Sequence, residues 1–187
     1  ILDVEGNGLT SLPAETGALQ KLTSLNLSGN QLAEVPPVLW QLRNLQELFL
    51  DDNRFDTLPA EIGGLQELTL LELNKSKLSR LPAEIGKLHK LKVLSLQRNF
   101  LTRLPPEMAA LKHLQQLTLS DNRFESFPAE ILHLESLEEL SLGRNRLTAL
   151  PDDFDRLARL RKLFMGSCHL TALPACFGNL HELQILD

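Results

Sequence analysis

Eight prolines stand 23 residues apart without a slip: Pro13, Pro36, Pro59, Pro82, Pro105, Pro128, Pro151 and Pro174. One inserted or deleted residue would break that phase. The chain is therefore one unit repeated, and a period of this size marks a solenoid or an array. The other two prolines, Pro37 and Pro106, each follow one of the eight. Counting each unit from its first leucine, with Leu22 as position 1, gives a partial unit 1–21 and full units 22–44, 45–67, 68–90, 91–113, 114–136, 137–159 and 160–182. A partial unit 183–187 ends the chain. No linker or low-complexity segment interrupts them, so the expectation is a single domain. Both ends fall inside a strand position, which leads us to expect a stack without the polar caps solenoids use, with end-to-end association as a risk and a monomer once capped.

Within the unit, positions 1, 4, 6, 11, 14, 18 and 21 are apolar, and leucine supplies 46 of the 187 residues. Apolar positions 4 and 6 alternate with polar 3, 5 and 7, a period of two that predicts a short strand. Positions 18 and 21 are three apart, the spacing of a 3₁₀-like or short α turn. Proline at 15 suits its first position. Glutamate at 17 (Glu15, Glu61, Glu84, Glu107, Glu130) suits its positive end. Glycine at 19 (Gly17, Gly63, Gly86, Gly178) is expected to end it. A unit of 23 residues cannot bury its apolar face alone, so units must stack. Position 9 reads Asn7, Asn30, Asn53, Ser76, Asn99, Asn122, Asn145, Cys168. Asparagines there are expected to turn inward as a ladder that satisfies buried backbone, interrupted at Ser76 and Cys168.

These positions spell L-x-x-L-x-L-x-x-N/C-x-L and, at Leu58–Leu65 and Leu81–Leu88, L-P-x-E-I-G-x-L. The chain thereby resembles the leucine-rich repeat family over essentially its whole length, in its 23-residue class of intracellular Ras-associated, scaffold-type and bacterial proteins. The resemblance implies a right-handed, curved α/β solenoid with a parallel sheet on the concave face and short 3₁₀ or α turns on the convex face. It implies protein–protein recognition as the function. A substrate-recognition piece of a larger kinase, GTPase or ubiquitin-ligase protein, and a purely structural spacer, remain alternatives. A cytoplasmic location is expected, with a secreted or translocated bacterial protein as the alternative.

A search for chemistry returns no catalytic residue, metal set or cofactor motif. Gly6 and Gly8 do not continue into a dinucleotide fingerprint. Ser167-Cys168-His169 places a nucleophile beside a base only in sequence, and adjacency is not the geometry of activation. The five histidines form no ladder across units. Cys168 and Cys176 lie on different sides of the coil, against a disulfide. The acceptor patterns at Asn26-Leu27-Ser28 and Asn74-Lys75-Ser76 are taken as chance matches. A net charge of −5 argues against nucleic acid as the main partner, and no apolar run is long enough to insert into a membrane.

The outward positions of the sheet are not needed for the core and are the candidate partner-binding surface. They include Phe49, Leu70, Glu72, Val93, Ser95, Thr118, Ser141 and Phe164 at positions 3 and 5, with Arg98 and Arg144 at position 8. Phe49, Leu70 and Val93 are expected to make an apolar step across three strands, with Phe164 a second apolar point. Positions 8 and 10 form a mostly basic rim, open to two readings: a surface that steers an acidic partner, or cross-strand pairing of Asp52 with Lys75 and of Asp121 with Arg98 or Arg144. Charge is expected to run from acidic (Asp3, Glu5, Glu47, Asp51, Asp52) to basic (Arg144, Arg146, Arg161, Lys162) along the stack. Trp40, at position 19, is expected to pack on a neighbouring loop, with a convex contact as the alternative.

Overall fold

The computed structural model describes residues 1–187. Nine short strands pair in parallel in sequence order: β1 (Leu2–Asp3), β2 (Ser24–Asn26), β3 (Glu47–Phe49), β4 (Leu70–Glu72), β5 (Val93–Ser95), β6 (Gln116–Thr118), β7 (Glu139–Ser141), β8 (Lys162–Phe164) and β9 (Ile185–Leu186). Register is in phase throughout: Leu25 faces Leu48, Leu48 faces Leu71, Leu71 faces Leu94. This is the parallel sheet of a curved, right-handed solenoid, and each return path crosses the convex side through a 3₁₀ turn such as Ala60–Gly64 or Ala83–Lys87.

One apolar core of 46 buried residues runs the length of the stack, fed by the leucines of positions 1, 4 and 6 and by positions 11, 14, 18 and 21. Toward the last units it carries aromatic contacts. Phe154 meets Phe127 edge-on at 5.4 Å and stacks on Phe177 at 5.9 Å. In the first and last units Leu19 and Leu173, at positions 21 and 14, are exposed.

The asparagine ladder is the polar counterpart of this core. Asn53 Oδ1 accepts the Leu32 N–H at 3.1 Å, while its Nδ2 donates to Leu27 O (3.0 Å) and Leu50 O (3.1 Å). Asn30, Asn99, Asn122 and Asn145 do the same one unit apart. Asn7 is exposed and bonds only Val4 O and Glu5 O. Ser76 is fully buried, but its hydroxyl reaches only Leu50 O (3.4 Å) and Asn74 O (3.2 Å), so the Phe55 N–H of the preceding unit gains no side-chain oxygen. Asn99 responds by accepting from Ser76 N as well as Leu78 N, and the residue between them, Lys77, takes a left-handed backbone (φ 55°) that no other position-10 residue adopts. Cys168 likewise donates its thiol to Leu142 O and offers no oxygen.

Two expectations for the turn need correction. The position-15 proline sits one residue earlier than the first turn position, as an N-cap such as Pro59 (φ −72°, ψ 158°) whose carbonyl accepts the first turn bond; the exception is Pro151, where Asp153 is the N-cap. Only Pro37 and Pro106 occupy the first turn position. Glycine at 19 lies inside the turn instead of ending it. Its service is close approach: a Cβ on Gly63 would stand 2.8 Å from Glu84 O, and one on Gly86 would run into Glu107 O. Trp40, Ala109, Leu132 and Asp155 replace that glycine, and the turns that follow the two bulky apolar ones, Trp40 and Leu132, namely Ala60–Gly64 and Phe154–Arg156, pack less closely on their predecessors. Trp40 itself is partly buried against the core.

Candidate functional site

The concave face carries the outward side chains of positions 3, 5, 7 and 8. Leu70 and Val93 are direct cross-strand neighbours, whereas Phe49 pairs with Glu72 and lies diagonal to Leu70 in the register. All four are half-buried. Ser95, also on this face between Glu72 and Thr118, is only 9% exposed. Thr118 and Ser141 continue a hydroxyl-lined middle, and Phe164 lies five strands beyond Phe49, roughly 24 Å at about 4.8 Å per strand.

Position 8 is the edge of this face, and all eight of its residues, Gly6 through Ser167, have left-handed φ between 52° and 67°. The turn out of the strand demands this conformation. Glycine meets it freely at Gly6 and Gly29; Asp52, Lys75, Arg98, Asp121, Arg144 and Ser167 adopt it against a cost of about 1 kcal/mol each. Their charges pair across strands: Lys75 with Asp52 at 3.7 Å, and Asp121 with Arg144 at 3.5 Å and Arg98 at 3.9 Å. Such exposed pairs contribute about 0–1 kcal/mol.

Pairing also decides the charge of the two ends. At the basic end Arg161 meets Glu138 (3.4 Å) and Glu182 (3.8 Å), Lys162 meets Glu139 (3.1 Å) and Arg146 meets Glu125 (3.8 Å). That end is largely neutralised. At the acidic end Glu47, Asp51 and Glu72 have no cation partner. Burial, and then the charge and hydrogen bond of neighbouring Asp51, push the Glu72 carboxyl up from 4.5 to about 7.

Asp51 belongs to a second side-chain ladder that the repeat pattern did not disclose. It accepts from Asn74 N (2.7 Å) and Asn74 Nδ2 (2.9 Å); Asn74 Oδ1 accepts from Gln97 N (2.7 Å); and Gln97 Nε2 donates to Asp121 (3.1 Å). These position-7 amides point away from the core, and the preceding unit's side chain satisfies them. The signal was present as three hydrogen-bonding residues in succession at position 7. After them the position turns small, Ser120, Gly143 and Gly166, and opens a shallow trough of about 440 Å³ bordered by Arg98, Arg144 and Phe164. Ser76, the third residue of one acceptor pattern, is fully buried, and Asn74 is engaged with Asp51.

The in-register sheet, the asparagine ladder and the exposed concave face define a repeat solenoid of the kind that serves as an interaction module. Models of the leucine rich repeat match residues 1–55 and 112–170, and a model of a leucine-rich repeat region matches 48–122. The chain belongs to the leucine-rich repeat family, whose domains typically mediate protein–protein interaction and are generally non-enzymatic. No curated protein sequence matches it. Among solved structures, a leucine-rich repeat protein of Leptospira interrogans is 36% identical with a TM-score of 0.90, over 100% of this chain and 53% of that one. The leucine-rich repeat ectodomain of the plant membrane receptor kinase GASSHO1/SCHENGEN3 from Arabidopsis thaliana, in complex with Casparian strip integrity factor 2, is 28% identical. Its TM-score is 0.78, over 98% and 25% of the two chains. A chain of the Drosophila Toll–Spatzle complex is 29% identical with a TM-score of 0.82, over 97% and 25%. The chain thus spans about half of the Leptospira protein and a quarter of the other two.

Proposed function

We propose that this chain recognises a protein partner through its concave face, and that the contact centres on Phe49, Leu70, Val93 and the Glu72–Asp51 carboxyl pair. The observation that carries this reading is Glu72. A carboxyl held half-buried beside a second carboxyl, with no cation of its own chain to relieve it, costs stability. Unfavourable local chemistry of this kind is retained where function needs it. A lysine or arginine from a partner, laid between Glu72 and Asp51 with its aliphatic stem on Phe49 and Leu70, would relieve it. The solved receptor complexes, in which related repeats hold peptide or protein ligands, support the general reading. The hydroxyl-lined middle of Ser95, Thr118 and Ser141, and Phe164 beyond it, complete the surface as secondary contacts, with Arg98 and Arg144 at its margin.

The test is affinity capture paired with a photo-crosslinker placed at Leu70 or, as control, at exposed Arg43 on the opposite side of the unit. Wild type, Phe49→Ala/Phe164→Ala and Glu72→Gln are compared after circular dichroism confirms folding. A partner crosslinked from Leu70 and lost with either variant supports the site. Equal capture by all three refutes it.

A further inference from the structure

The flank that leads from the sheet to the convex turns carries six cations at positions 10 and 13: Arg54, Lys77, Arg80, Arg103, Arg123 and Arg146. Arg146 pairs with Glu125, and Arg123 lies over the Phe100 ring, 4.1 Å from its centroid. None of the ten ion pairs includes Arg54, Lys77, Arg80 or Arg103. The same flank carries the carboxylates Glu34, Asp56 and Glu125 at positions 12 and 13, so six cations face three acids on this strip of a chain whose net charge is −5, a local positive balance.

Grooves lie between consecutive units along this strip. One of about 460 Å³ has Leu58 and Leu81 at its floor, Pro59 and Pro82 at its edge and Arg80 beside it. The next, of about 300 Å³, lies between Arg80 and Arg103 over Leu81, Leu104, Pro105 and Pro106. Each arginine therefore borders an apolar slot, a combination that suits an acidic side chain with methylenes. The spacing fits an extended chain. Units are about 4.8 Å apart at the sheet, and the Cα atoms of consecutive convex turns come within 8 Å. Alternate residues of an extended peptide, roughly 6.6 Å apart, fall between these limits.

The strip is narrow. Glu61, Glu84, Glu107 and Glu130 are the second residues of the convex turns, two positions beyond Pro59, Pro82, Pro105 and Pro128. A nucleic acid duplex or a flat anionic membrane would meet that acidic row at the same time as the arginines. A single peptide strand would not.

We propose that this flank is a second binding surface, and that it takes an extended acidic peptide segment of a protein partner. Glutamates on alternate residues meet Arg80 and Arg103, and their methylenes lie in the slots over Leu81 and Leu104. The surface is separate from the concave face and has the opposite charge preference.

The probe is a fluorescein-labelled peptide of alternating glutamate and serine, with a lysine–serine peptide as counterpart, read by fluorescence anisotropy at about 50 mM salt. Wild type is expected to bind the acidic peptide in a manner that depends on Arg80 and Arg103, whereas any binding of the basic peptide should not be weakened by their replacement. Arg80→Glu/Arg103→Glu should weaken binding by about tenfold or more. Arg80→Ala/Arg103→Ala should do so in the same direction, and guards against a folding defect in the reversed pair. Lys90→Glu/Lys112→Glu makes the same change in net charge on the other flank and should shift affinity less than about twofold. Phe49→Ala/Phe164→Ala should leave it unchanged, so failure here and failure of the concave site are distinguishable. Three results overturn the proposal: no binding by wild type up to about 1 mM peptide, equal weakening by both charge reversals, or Arg80/Arg103-dependent binding of phosphatidylserine vesicles or duplex DNA without binding of the peptide.

Discussion

Replacing Glu72 by glutamine should raise stability at pH 8 and leave it unchanged at pH 4. Folding lifts this carboxyl from 4.5 to about 7, through burial first and Asp51 second. The folded chain therefore keeps the proton to higher pH than the unfolded chain does. Below 4.5 both states are protonated and there is no penalty. Between 4.5 and 7 the folded state binds more protons, so stability falls as pH rises; above 7 the penalty is complete. A displacement of this size corresponds to about 3 kcal/mol at full effect. Glu72 is only half-buried, and solvent screening reduces the figure to about 1 kcal/mol. Glutamine keeps the shape and cannot ionise, so it removes the penalty only where glutamate is charged. For a chain of this length about 1 kcal/mol moves Tm by roughly 2–4 °C. Thermal melts by circular dichroism at pH 4, 6 and 8 measure it. A gain of equal size at pH 4 and pH 8, or a loss at pH 8, would show that the Glu72–Asp51 contact is not the strained pair described above.

Ser76→Asn should stabilise the chain by about 1–2 kcal/mol, because it supplies the oxygen that the Phe55 N–H lacks and a donor nearer Leu50 O; slower hydrogen exchange at Phe55 together with a higher denaturation midpoint checks it. Gly86→Ala should destabilise by roughly 1–3 kcal/mol through collision with the Glu107 backbone. Gly178→Ala, at the same position of the unit but with open space around it, should be neutral or stabilising by up to about 1 kcal/mol; urea melts of the two variants separate the cases. If the concave site takes a basic partner side chain, partner affinity should weaken as pH falls through about 7, where Glu72 gains its proton, and Glu72→Gln should remove that dependence in a binding titration.

Repetition explains why the architecture was readable. Any residue facing the core meets the same neighbours in every unit, so Leu25, Leu48, Leu71 and Leu94 report one environment four times over. The asparagines at position 9 are readable for the same reason, and so were the two defects, Ser76 and Cys168. The glycine at 19 shows the limit. Its identity was visible, but its reason, contact with the next unit's backbone at Glu84 and Glu107, depends on how far apart the turns stand. That distance is set by stacking and not by any one unit. Proline 15 was misplaced by one residue because its fixed φ serves an N-cap as well as a first turn position.

The site was less readable because outward positions are released from the repeat. Position 5 passes from Phe49 to Glu72 to Ser95 without a rule, and its chemistry arises only from what the register sets beside what. The basic end shows this most clearly. Arg144, Arg146, Arg161 and Lys162 read as a positive pole in the sequence, yet each lies within 4 Å of a carboxylate 21 or 23 residues away. A period of 23 places equivalent positions side by side, so a charge change between adjacent units becomes a salt bridge. Where adjacent units carry the same sign, as at Arg80 and Arg103, the stack offers no counter-ion at the equivalent position, and Glu72 finds none because it faces Phe49 and Ser95. On such a scaffold the informative residues are the repeated like charges, because the stack cannot neutralise them and a partner can.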